Sequence, residues 1–543
     1  MQTIKFDFPI LLITLMIAGP IIAILWLASF PSDDIWKHLI QTVLFRYTYT
    51  TCFLMIGVGI GTLLIGVSSA WLVTCCEFSG RRHFEWALLL PMAIPAYIIA
   101  FIYTDLLEYS GTVQESLRIF FSWKSPSDYW FPEIRSLGGA IFMMTFVLYP
   151  YVYLLSRVSF AEQSSSIIEV SRTLGRGPWD TFFRISMPLA RPSLAIGVSL
   201  VLMEVLNDFG TVDFFAIETF TAGIYDVWMN MDSISGASQL SVALLIFVLF
   251  LLFTEKWGRR KQTFSNNTKT KKPIRRYQLQ GYKSSISFFV CLIPILFGFI
   301  LPSLILIRDS FIFYDFGDNF EFLKTMSNSF ILSSLSAVTT TIFGIFLGYG
   351  QRIRKNKFIR GLIRFCSIGY AIPGSVLAVG VIIFFGKIDE FLNFIFEVTG
   401  EISLSGTLII IIYAYSVRFL ALSFGSIESS LSKVTPNMDA ASRTLGMNSR
   451  KTLFKVHIPI IQKGVLASAI LVFVDCMKEL PMTLILRPFN FETLSTNVYQ
   501  FASDELFEES ALTALAIVLT GVIPVIILSN IISSENNQIG ENT

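Results

Sequence analysis

Long apolar stretches separated by short polar loops run through the whole chain. About twelve of them reach roughly 20 mostly apolar residues, the length that a helix needs to cross about 30 Å of hydrocarbon. They lie near residues 8–30, 50–76, 86–107, 138–160, 192–217, 238–256, 285–308, 329–350, 361–386, 405–427, 464–486 and 510–532. The pattern predicts an all-α polytopic membrane protein with about twelve transmembrane helices. A lone Lys5 precedes the first stretch, which shows no clear small-residue cleavage motif, so we expect an uncleaved first span.

Composition supports lipid as the solvent for most of this chain. Of its 543 residues, 53% are hydrophobic and 15% carry a charge, whereas soluble globular chains are about 25% charged. A soluble fold cannot cover that much apolar surface, and disordered chains are poor in apolar residues. The six cysteines all lie in apolar stretches without a C-x-x-C pair, and the three histidines lack metal-site spacing. Neither residue type predicts a metal or redox site.

Basic residues are concentrated in loops that share one side of the membrane. They follow the second span (Arg81, Arg82, His83), the sixth (ten Lys and Arg between Lys256 and Lys283) and the eighth (Arg352, Arg354, Lys355, Lys357, Arg360). The opposite loops, at 33–34, 314–322 and 504–509, are acidic or aromatic. Because cytoplasmic loops carry an excess of Lys and Arg, the basic side is predicted to be cytoplasmic. An even number of spans then places both termini in the cytoplasm.

The segment 257–284 is polar, basic and rich in Asn, Thr and Lys. It is typical of a flexible cytoplasmic linker, and it divides the chain into halves at 1–256 and 285–543, each with six spans. Nucleic-acid binding is the alternative reading of such a basic run. The excess of positive charge on the cytoplasmic side already explains the run, so we expect no nucleic-acid partner.

The two halves repeat each other. Ser171-Arg172-Thr173-Leu174-Gly175 recurs as Ser442-Arg443-Thr444-Leu445-Gly446, an offset of 271, and a proline (Pro188, Pro459) follows each glycine by thirteen residues. Ala93-Ile94-Pro95 matches Ala371-Ile372-Pro373, Glu204 matches Asp475, and Thr219 and Tyr225 match Thr493 and Tyr499. These matches keep the same order relative to the spans. The halves are therefore predicted to be parallel, related by a pseudo-two-fold axis along the membrane normal.

The repeated glycine motif lies in the cytoplasmic loop between spans four and five of each half. We expect a helix that ends at the glycine, which adopts positive φ at low energy, and a second helix that Pro188 or Pro459 breaks near the membrane. Each half would thus present a short helix–turn–helix, called here a knob, on its cytoplasmic face. An ordinary amphipathic loop helix is the simpler alternative.

These residues resemble the EAA motif of permease subunits from ABC-type importers. The resemblance rests on the glycine-to-proline spacing, the position after the fourth span and the duplication. It implies the type I ABC importer permease fold and a coupling helix that docks into an ATPase subunit. The residues that it assigns to coupling are Glu169, Arg172, Gly175 and Pro188 in the first half and Asp439, Arg443, Gly446 and Pro459 in the second. The second copy departs from the motif because Ala440 stands where the first has Glu169.

No G-x-x-x-x-G-K-[ST] phosphate loop occurs in the sequence. The chain is therefore expected to be a non-catalytic subunit without a cofactor of its own. The resemblance implies that ATP and Mg²⁺ are bound by a separate ATPase, as a homodimer beneath the two knobs. It also implies an extracytoplasmic solute-binding protein and a place in the bacterial inner membrane.

Among fused twelve-span permeases the chain looks most like the ferric-iron class. The residues that carry this resemblance are Tyr151–Leu155, Phe160–Ser164, Lys478–Leu484, Arg487–Phe491 and Thr493-Leu494. Thiamine, putrescine and aminophosphonate permeases share the architecture and parts of the pattern, and they remain alternatives.

Charged residues inside spans are costly and usually face an interior or a pathway. Such residues are Glu204 and Asp208 in span five and Asp475, Lys478 and Glu479 in span eleven. They are candidates for a cation pathway, since ferric iron prefers oxygen ligands. Pairing of Asp475 with Lys478 on one helix, and an interfacial position for Asp208, are the structural alternatives.

The outer loops before the last span of each half contain a second set of candidates. Glu218 and Tyr225, with Glu492 and Tyr499 in the second half, are placed to contact the binding protein or to anchor helix ends at the membrane interface.

Other functional classes fit the sequence less well. A twelve-span secondary transporter would also have parallel halves and a basic central loop. The segment Gly80-Arg81-Arg82 lacks the Asp and spacing of the major facilitator motif, however, and such a transporter has no use for paired knobs. A membrane enzyme lacks a catalytic cluster, and a channel would not explain two docking sites.

Overall fold

The computed structural model describes residues 4–30, 35–163, 171, 173–175, 177–259, 276–313, 319–353, 356–366, 369–396, 403–432 and 434–540. Ten helices within these ranges are long and apolar enough to cross a membrane, and two bent helix pairs bring the number to twelve if each pair is one span. The predicted all-α architecture of about twelve spans is therefore confirmed.

The described part of the first half contains a series of helices. They are α1 Ile4–Ala28, α2 Ile35–Thr42, α3 Leu44–Cys75, α4 Arg81–Ala87, α5 Ala96–Leu107, α6 Thr112–Phe121, α7 Leu137–Glu162, α8 Pro178–Thr181, α9 Met187–Asn207, α10 Gly210–Phe214, α11 Phe220–Met229 and α12 Ile234–Arg259. Short 3₁₀ turns lie at Leu90–Ala93 and Pro126–Asp128.

The second half follows the same order. Its helices are α13 Tyr282–Ile295, α14 Leu301–Ile312, α15 Asn319–Ile353, α16 Lys357–Cys366, α17 Gly374–Phe396, α18 Leu408–Leu431, α19 Pro436–Thr444, α20 Ser449–Thr452, α21 Ile458–Met477, α22 Pro481–Leu486, α23 Leu494–Ser503 and α24 Ala511–Gly540. A π turn, Leu296–Ile300, joins α13 to α14, and 3₁₀ turns lie at Gly369–Ala371 and Phe507–Ser510.

The third span of each half is bent, at the repeated Ala-Ile-Pro tripeptide. In the first half, Arg81–Ala93 meets Ala96–Phe121 at 89°. Proline has no N–H and disfavours helical geometry in the residue before it, and Ile94 is accordingly extended, with φ −99° and ψ 123°. The motif that identified the repeat therefore also marks a helix break.

The prediction that Pro188 and Pro459 break a helix is wrong. Both lie in the first turn of a long helix, α9 or α21, where the missing N–H of proline is tolerated. A π turn precedes each helix, at Phe182–Ser186 and Leu453–His457. Because these wider turns bond to carbonyls five residues back, as Met187 N–H does to Phe182, the helices continue through the proline.

By its contacts the chain forms two packing units. The first comprises Met1–Gln41, Gly223–Leu245 and Asp315–Tyr499, and the second comprises Thr42–Ala222, Ile246–Tyr314 and Gln500–Thr543. The opening helix of each predicted half thus packs in the unit built from the core of the other half. In the first unit, for example, the Tyr413 hydroxyl donates a hydrogen bond to the Met16 carbonyl.

Close helix crossings repeat in the two units. In the second unit, a Cβ added to Gly66 of α3 would lie 2.8 Å from Val152 Cβ and 2.9 Å from the backbone nitrogen of Tyr153 on α7. In the first unit, Gly344 of α15 lies in the same way against Ser423 of α18. Small residues that let two backbones approach are typical of helix packing in membranes.

Much of the predicted flexible linker, residues 260–275, lies outside the described residues. Its flanks are ordered, which the sequence interpretation did not anticipate. Helix α12 extends to Arg259, and strand β2 (Tyr277–Gln278) pairs in parallel with β1 (Cys76–Glu77) in the second unit. Arg276 adds an ion pair to Glu77 at 3.4 Å.

Candidate functional site

The second knob is built around a glycine turn. Helix α19 ends at Thr444, and Gly446 follows with φ +74°. Gly446 N–H donates to the Arg443 carbonyl at 3.0 Å, and Met447 N–H donates to the Ser442 carbonyl at 3.0 Å. This is the Schellman motif, which a glycine at positive φ completes. Asn448 then caps α20 by accepting from Lys451 N–H at 2.9 Å.

The first knob shares this geometry wherever its residues are described. Gly175 also has φ +74°. A hydroxyl pair closes each knob across the turn: Ser171 bonds to Thr181 at 2.8 Å, and Ser442 bonds to Thr452 at 3.0 Å. All four hydroxyl residues are buried, and the two pairs differ by the repeat offset of 271.

Each knob exposes apolar side chains at repeat-related positions. Leu174 and Leu445, directly before the glycines, are 71% and 76% exposed. Phe183 and Phe454, on the π turns, are also exposed. Exposed large apolar residues at matching positions favour a docking surface for a protein partner.

Two of the predicted coupling residues, Glu169 and Arg172, lie outside the described residues. Arg443 is exposed on the second knob. Asp439 instead points back into its own unit, where its carboxylate contacts Arg352 Nη2 at 2.8 Å and His457 Nε2 at 2.6 Å. The Arg352 side chain also donates to the Leu431 and Val434 carbonyls, so these contacts tie the knob to the end of α15.

Two of the predicted pathway carboxylates occupy equivalent positions at the ends of spans five and eleven. Asp208 accepts hydrogen bonds from the backbone and the hydroxyl of Thr211, both at 3.0 Å, and so caps α10. Glu479 accepts from Met482 N–H at 3.4 Å at the start of α22. The sequence offset between the two carboxylates, like that between their N–H donors, is 271.

Hydroxyl groups from the next segment bind the backbone of both carboxylate residues. Thr221 donates to the Asp208 carbonyl at 3.0 Å, and Ser495 donates to the Glu479 carbonyl at 2.8 Å. Each of these hydroxyls in turn bonds to a threonine two residues earlier, Thr219 or Thr493. The threonines that helped to identify the repeat thus belong to a turn that holds each carboxylate in place.

The two carboxylates differ in their charged partners. Glu479 forms an ion pair with Arg418 of α18 at 3.2 Å, and both side chains are almost completely buried. A Cβ on Gly374 would lie 2.8 Å from the Glu479 carboxylate and closer still to the guanidinium, so a side chain at this position would displace the pair. In the first half Val147 stands at the position of Arg418. No ion pair links Asp208 to a lysine or arginine within the described ranges.

The remaining pathway candidates have local contacts. Lys478 forms an ion pair with Asp475, three residues earlier, at 3.0 Å. Such local pairing is the structural alternative to a pathway role for these two residues. Glu204 is half-buried on α9, one turn before Asp208. Within the described part of the chain, no group of three or more His, Cys, Asp or Glu residues is arranged to hold a metal ion.

The outer candidates also repeat. Glu218 pairs with Arg46 at 2.9 Å, and Glu492 pairs with Arg487. The backbone carbonyls of these glutamates accept hydrogen bonds from Thr50 and Asn328, which occupy equivalent positions at the start of α3 and α15. Tyr225 and Tyr499 are half-buried on α11 and α23.

Sequence reasoning missed Arg418, Arg352 and His457. Arg418 could have been found, because an arginine in the apolar stretch 405–427 is as costly as the carboxylates that were noticed. In the sequence analysis, Arg352 served only as evidence for which side of the membrane is cytoplasmic. Nothing in the local pattern around His457 indicates its contact with Asp439, which depends on how the knob folds back.

Known proteins similar to this chain are transport permeases. The chain is 27% identical over 482 residues to the Fe(3+)-transport system permease protein FbpB 2 of Haemophilus influenzae, covering 88% of each. It is 24% identical to the ferric transport system permease protein FbpB of Actinobacillus pleuropneumoniae, covering 83% of this chain and 66% of that one. The molybdenum transport system permease protein ModB of Escherichia coli, also 24% identical, matches 37% of this chain and 86% of its own length.

The sequence also matches a protein family twice, over residues 63–255 and 340–535. The two matched segments fall one in each predicted half, and each contains one knob, one bent third span and one capping carboxylate. This duplication agrees with the repeat found in the sequence and in the hydrogen bonds. The chain therefore belongs to the family of binding-protein-dependent transport system inner membrane components, as a fused protein with two copies of the permease domain.

Proposed function

We propose that this chain is the transmembrane subunit of an ATP-driven importer that takes up ferric iron. An extracytoplasmic binding protein delivers the ion, a separate ATPase homodimer supplies the energy, and both termini of the permease face the cytoplasm. The ferric assignment is supported by the relatives that cover most of the chain, since they are ferric transport permeases. Coupling to an ATPase is supported by two repeat-related knobs with exposed leucines.

Transport would follow from movement of the two knobs. ATP closes the ATPase dimer, which draws the knobs together and turns the permease from inward-open to outward-open. The binding protein then releases its ion into the pathway, and loss of the nucleotide products resets the cycle. In the second knob the hydroxyl pair and the glycine turn hold α19 and α20 together, so the knob can transmit force as one body. The first knob has the same hydroxyl pair and the same positive φ at its glycine.

Uptake of labelled ferric iron by a deletion strain, with and without the restored gene, tests the substrate directly. We expect uptake to fall in the deletion and to recover with the gene. Molybdate, sulfate, thiamine, putrescine and aminophosphonate serve as competing substrates in the same assay. Normal iron uptake combined with loss of any one of them would replace the ferric assignment.

An acidic residue at the exposed leucine of a knob should weaken the complex with the ATPase. Burial of a leucine side chain is worth about 1.5–3 kcal/mol, so Leu174→Asp and Leu445→Asp should each reduce affinity by roughly tenfold or more. Pull-down of the ATPase with purified permease measures this. The controls are Thr173→Asp and Thr444→Asp, which add the same charge at the preceding exposed positions. Equal losses in the leucine and threonine variants would show that charge, rather than apolar contact, controls docking.

We assign the cation-contacting role first to Asp208, because its symmetry equivalent Glu479 already pairs with an arginine and Asp475 pairs with a lysine. Glu204 lies one helical turn before Asp208 and is assigned by that position alone. Asp208→Asn keeps an oxygen that can cap α10 but removes the charge. We therefore expect a folded, membrane-inserted protein whose iron uptake falls about tenfold, a loss comparable to removing one charged hydrogen bond. Asp208→Ala removes the cap as well. If the Asn variant transports normally and only the Ala variant fails, Asp208 is a helix cap and not part of the pathway.

Glu218, Tyr225, Glu492 and Tyr499 are proposed to lie at the surface that receives the binding protein. Their support is the duplicated hydrogen bond that the backbone carbonyl of each glutamate accepts, from Thr50 in one unit and from Asn328 in the other.

A further inference from the structure

Helix α16, Lys357–Cys366, has two faces of opposite character. Ile359, Ile363 and Cys366 are buried, and the Cys366 thiol lies 3.4 Å from the Thr14 hydroxyl of α1 within the first unit. The helix is thereby fixed against a membrane-spanning helix by its apolar face. Asn356 caps its start by accepting from Phe358 N–H at 3.0 Å.

The other face carries a row of cations. Lys357, Arg360 and Arg364 are exposed and are spaced by three and four residues, so they lie along one side of the helix. No acidic residue in the described part of the chain forms an ion pair with any of the three. Phe358, beside this row, is 67% exposed.

The corresponding helix of the first half uses its positive charge differently. Arg81, the first residue of α4, is buried and pairs with Glu77 at 3.2 Å and with Glu85 at 2.5 Å. The Arg81 charge is therefore neutralised within the protein, whereas the neighbouring Arg82 is exposed. In α16 the three charges face outward without an acidic partner among the described residues, which leaves them accessible to an external anion.

We propose that Lys357, Arg360 and Arg364 form a binding site for the phosphate groups of anionic phospholipids in the cytoplasmic leaflet. Helix α16 begins four residues after the long membrane helix α15 ends at Ile353, which places it at the level of the headgroups. An exposed phenylalanine beside cations suits that boundary, where apolar side chains enter the acyl region and cations meet phosphates.

The test uses the purified full-length permease in nanodiscs, without ATPase, and measures binding of a fluorescent phosphatidylglycerol. Nanodiscs present both leaflets, so the result does not depend on the predicted orientation or on the transported substrate. Each cation near an anionic surface contributes a few-fold to affinity, so Lys357→Gln/Arg360→Gln/Arg364→Gln should bind the probe at least about tenfold more weakly. Phosphatidylcholine with the same fluorophore should show no such difference.

A matched variant removes three exposed cations from the second knob instead: Arg443→Gln/Arg450→Gln/Lys455→Gln. It changes the net charge equally but should leave phosphatidylglycerol binding within about twofold of wild type. Equal binding by the wild type and the α16 variant would overturn the proposal. If the α16 variant instead keeps its lipid binding but no longer captures the ATPase, the cations form a protein-docking surface and the lipid site is excluded.

Discussion

Replacing Gly446 or Gly175 by valine is expected to abolish transport while leaving the permease inserted in the membrane. Both glycines have φ +74°, and an added Cβ would meet no atom within 4 Å at either position. The substitution therefore creates no clash, and its whole effect is backbone strain. A β-branched residue at positive φ costs about 1–3 kcal/mol, which the turn can relieve by opening the Schellman motif and releasing the tip of the knob. Reconstituted permease and ATPase should then show little binding-protein-stimulated uptake.

Two further substitutions separate backbone strain from the effect of adding a side chain. Asparagine tolerates the left-handed region, so Gly175→Asn should retain most of the transport that Gly175→Val loses. Gly177, two residues later, also has open space around it but is extended, with φ −72° and ψ 170°. Gly177→Val should accordingly transport close to normally. Normal uptake in Gly175→Val and Gly446→Val together would mean that the knobs do not couple ATP use to transport.

The sequence was sufficient for the features that depend on composition and repetition. Apolar stretches of membrane length predicted the spans, and the repeated motif predicted a glycine turn, now seen at positive φ in both halves. Ala-Ile-Pro was recognised only as a repeat marker, although the restriction that proline places on the preceding residue also predicts the bend found there. Local signals of this kind act within a few residues, which is why they can be read from the chain.

Features that depend on distant contacts were not predicted. Packing of Met1–Gln41 with the core of the second half has no local signal, because an apolar helix packs equally well against many partners. Pro188 was expected to end a helix, since the preceding π turn cannot be recognised from sequence. The ion pair of Asp439 with Arg352 joins positions 87 residues apart. Such pairs follow from the tertiary fold and not from spacing.

Neutralising one member of the Arg418–Glu479 pair should destabilise the protein strongly. Arg418 is 4% exposed and Glu479 is 6% exposed, and the two charges lie 3.2 Å apart. Removing one partner leaves the other charge buried without compensation, which typically costs about 3–5 kcal/mol. We therefore expect Arg418→Met and Glu479→Gln each to lower the thermal unfolding temperature in detergent by many degrees and to reduce the yield of folded permease.

The double variant Arg418→Met/Glu479→Gln decides what the pair is for. Replacing both charges removes the uncompensated one, so stability should return to near the wild-type value even though the ion pair is gone. The more exposed pair of Asp475 and Lys478 serves as the control, and its single neutralisation should destabilise the protein less than that of the buried pair. If the double variant is stable and transports iron, the pair is structural. If the double variant is stable but inactive, the charges of Arg418 and Glu479 are required for transport. The second half would then contribute charged groups to the pathway, although these two neutralise each other in the structure. Single variants as stable as wild type would show instead that water reaches Arg418 and that the pair is not isolated in the protein interior.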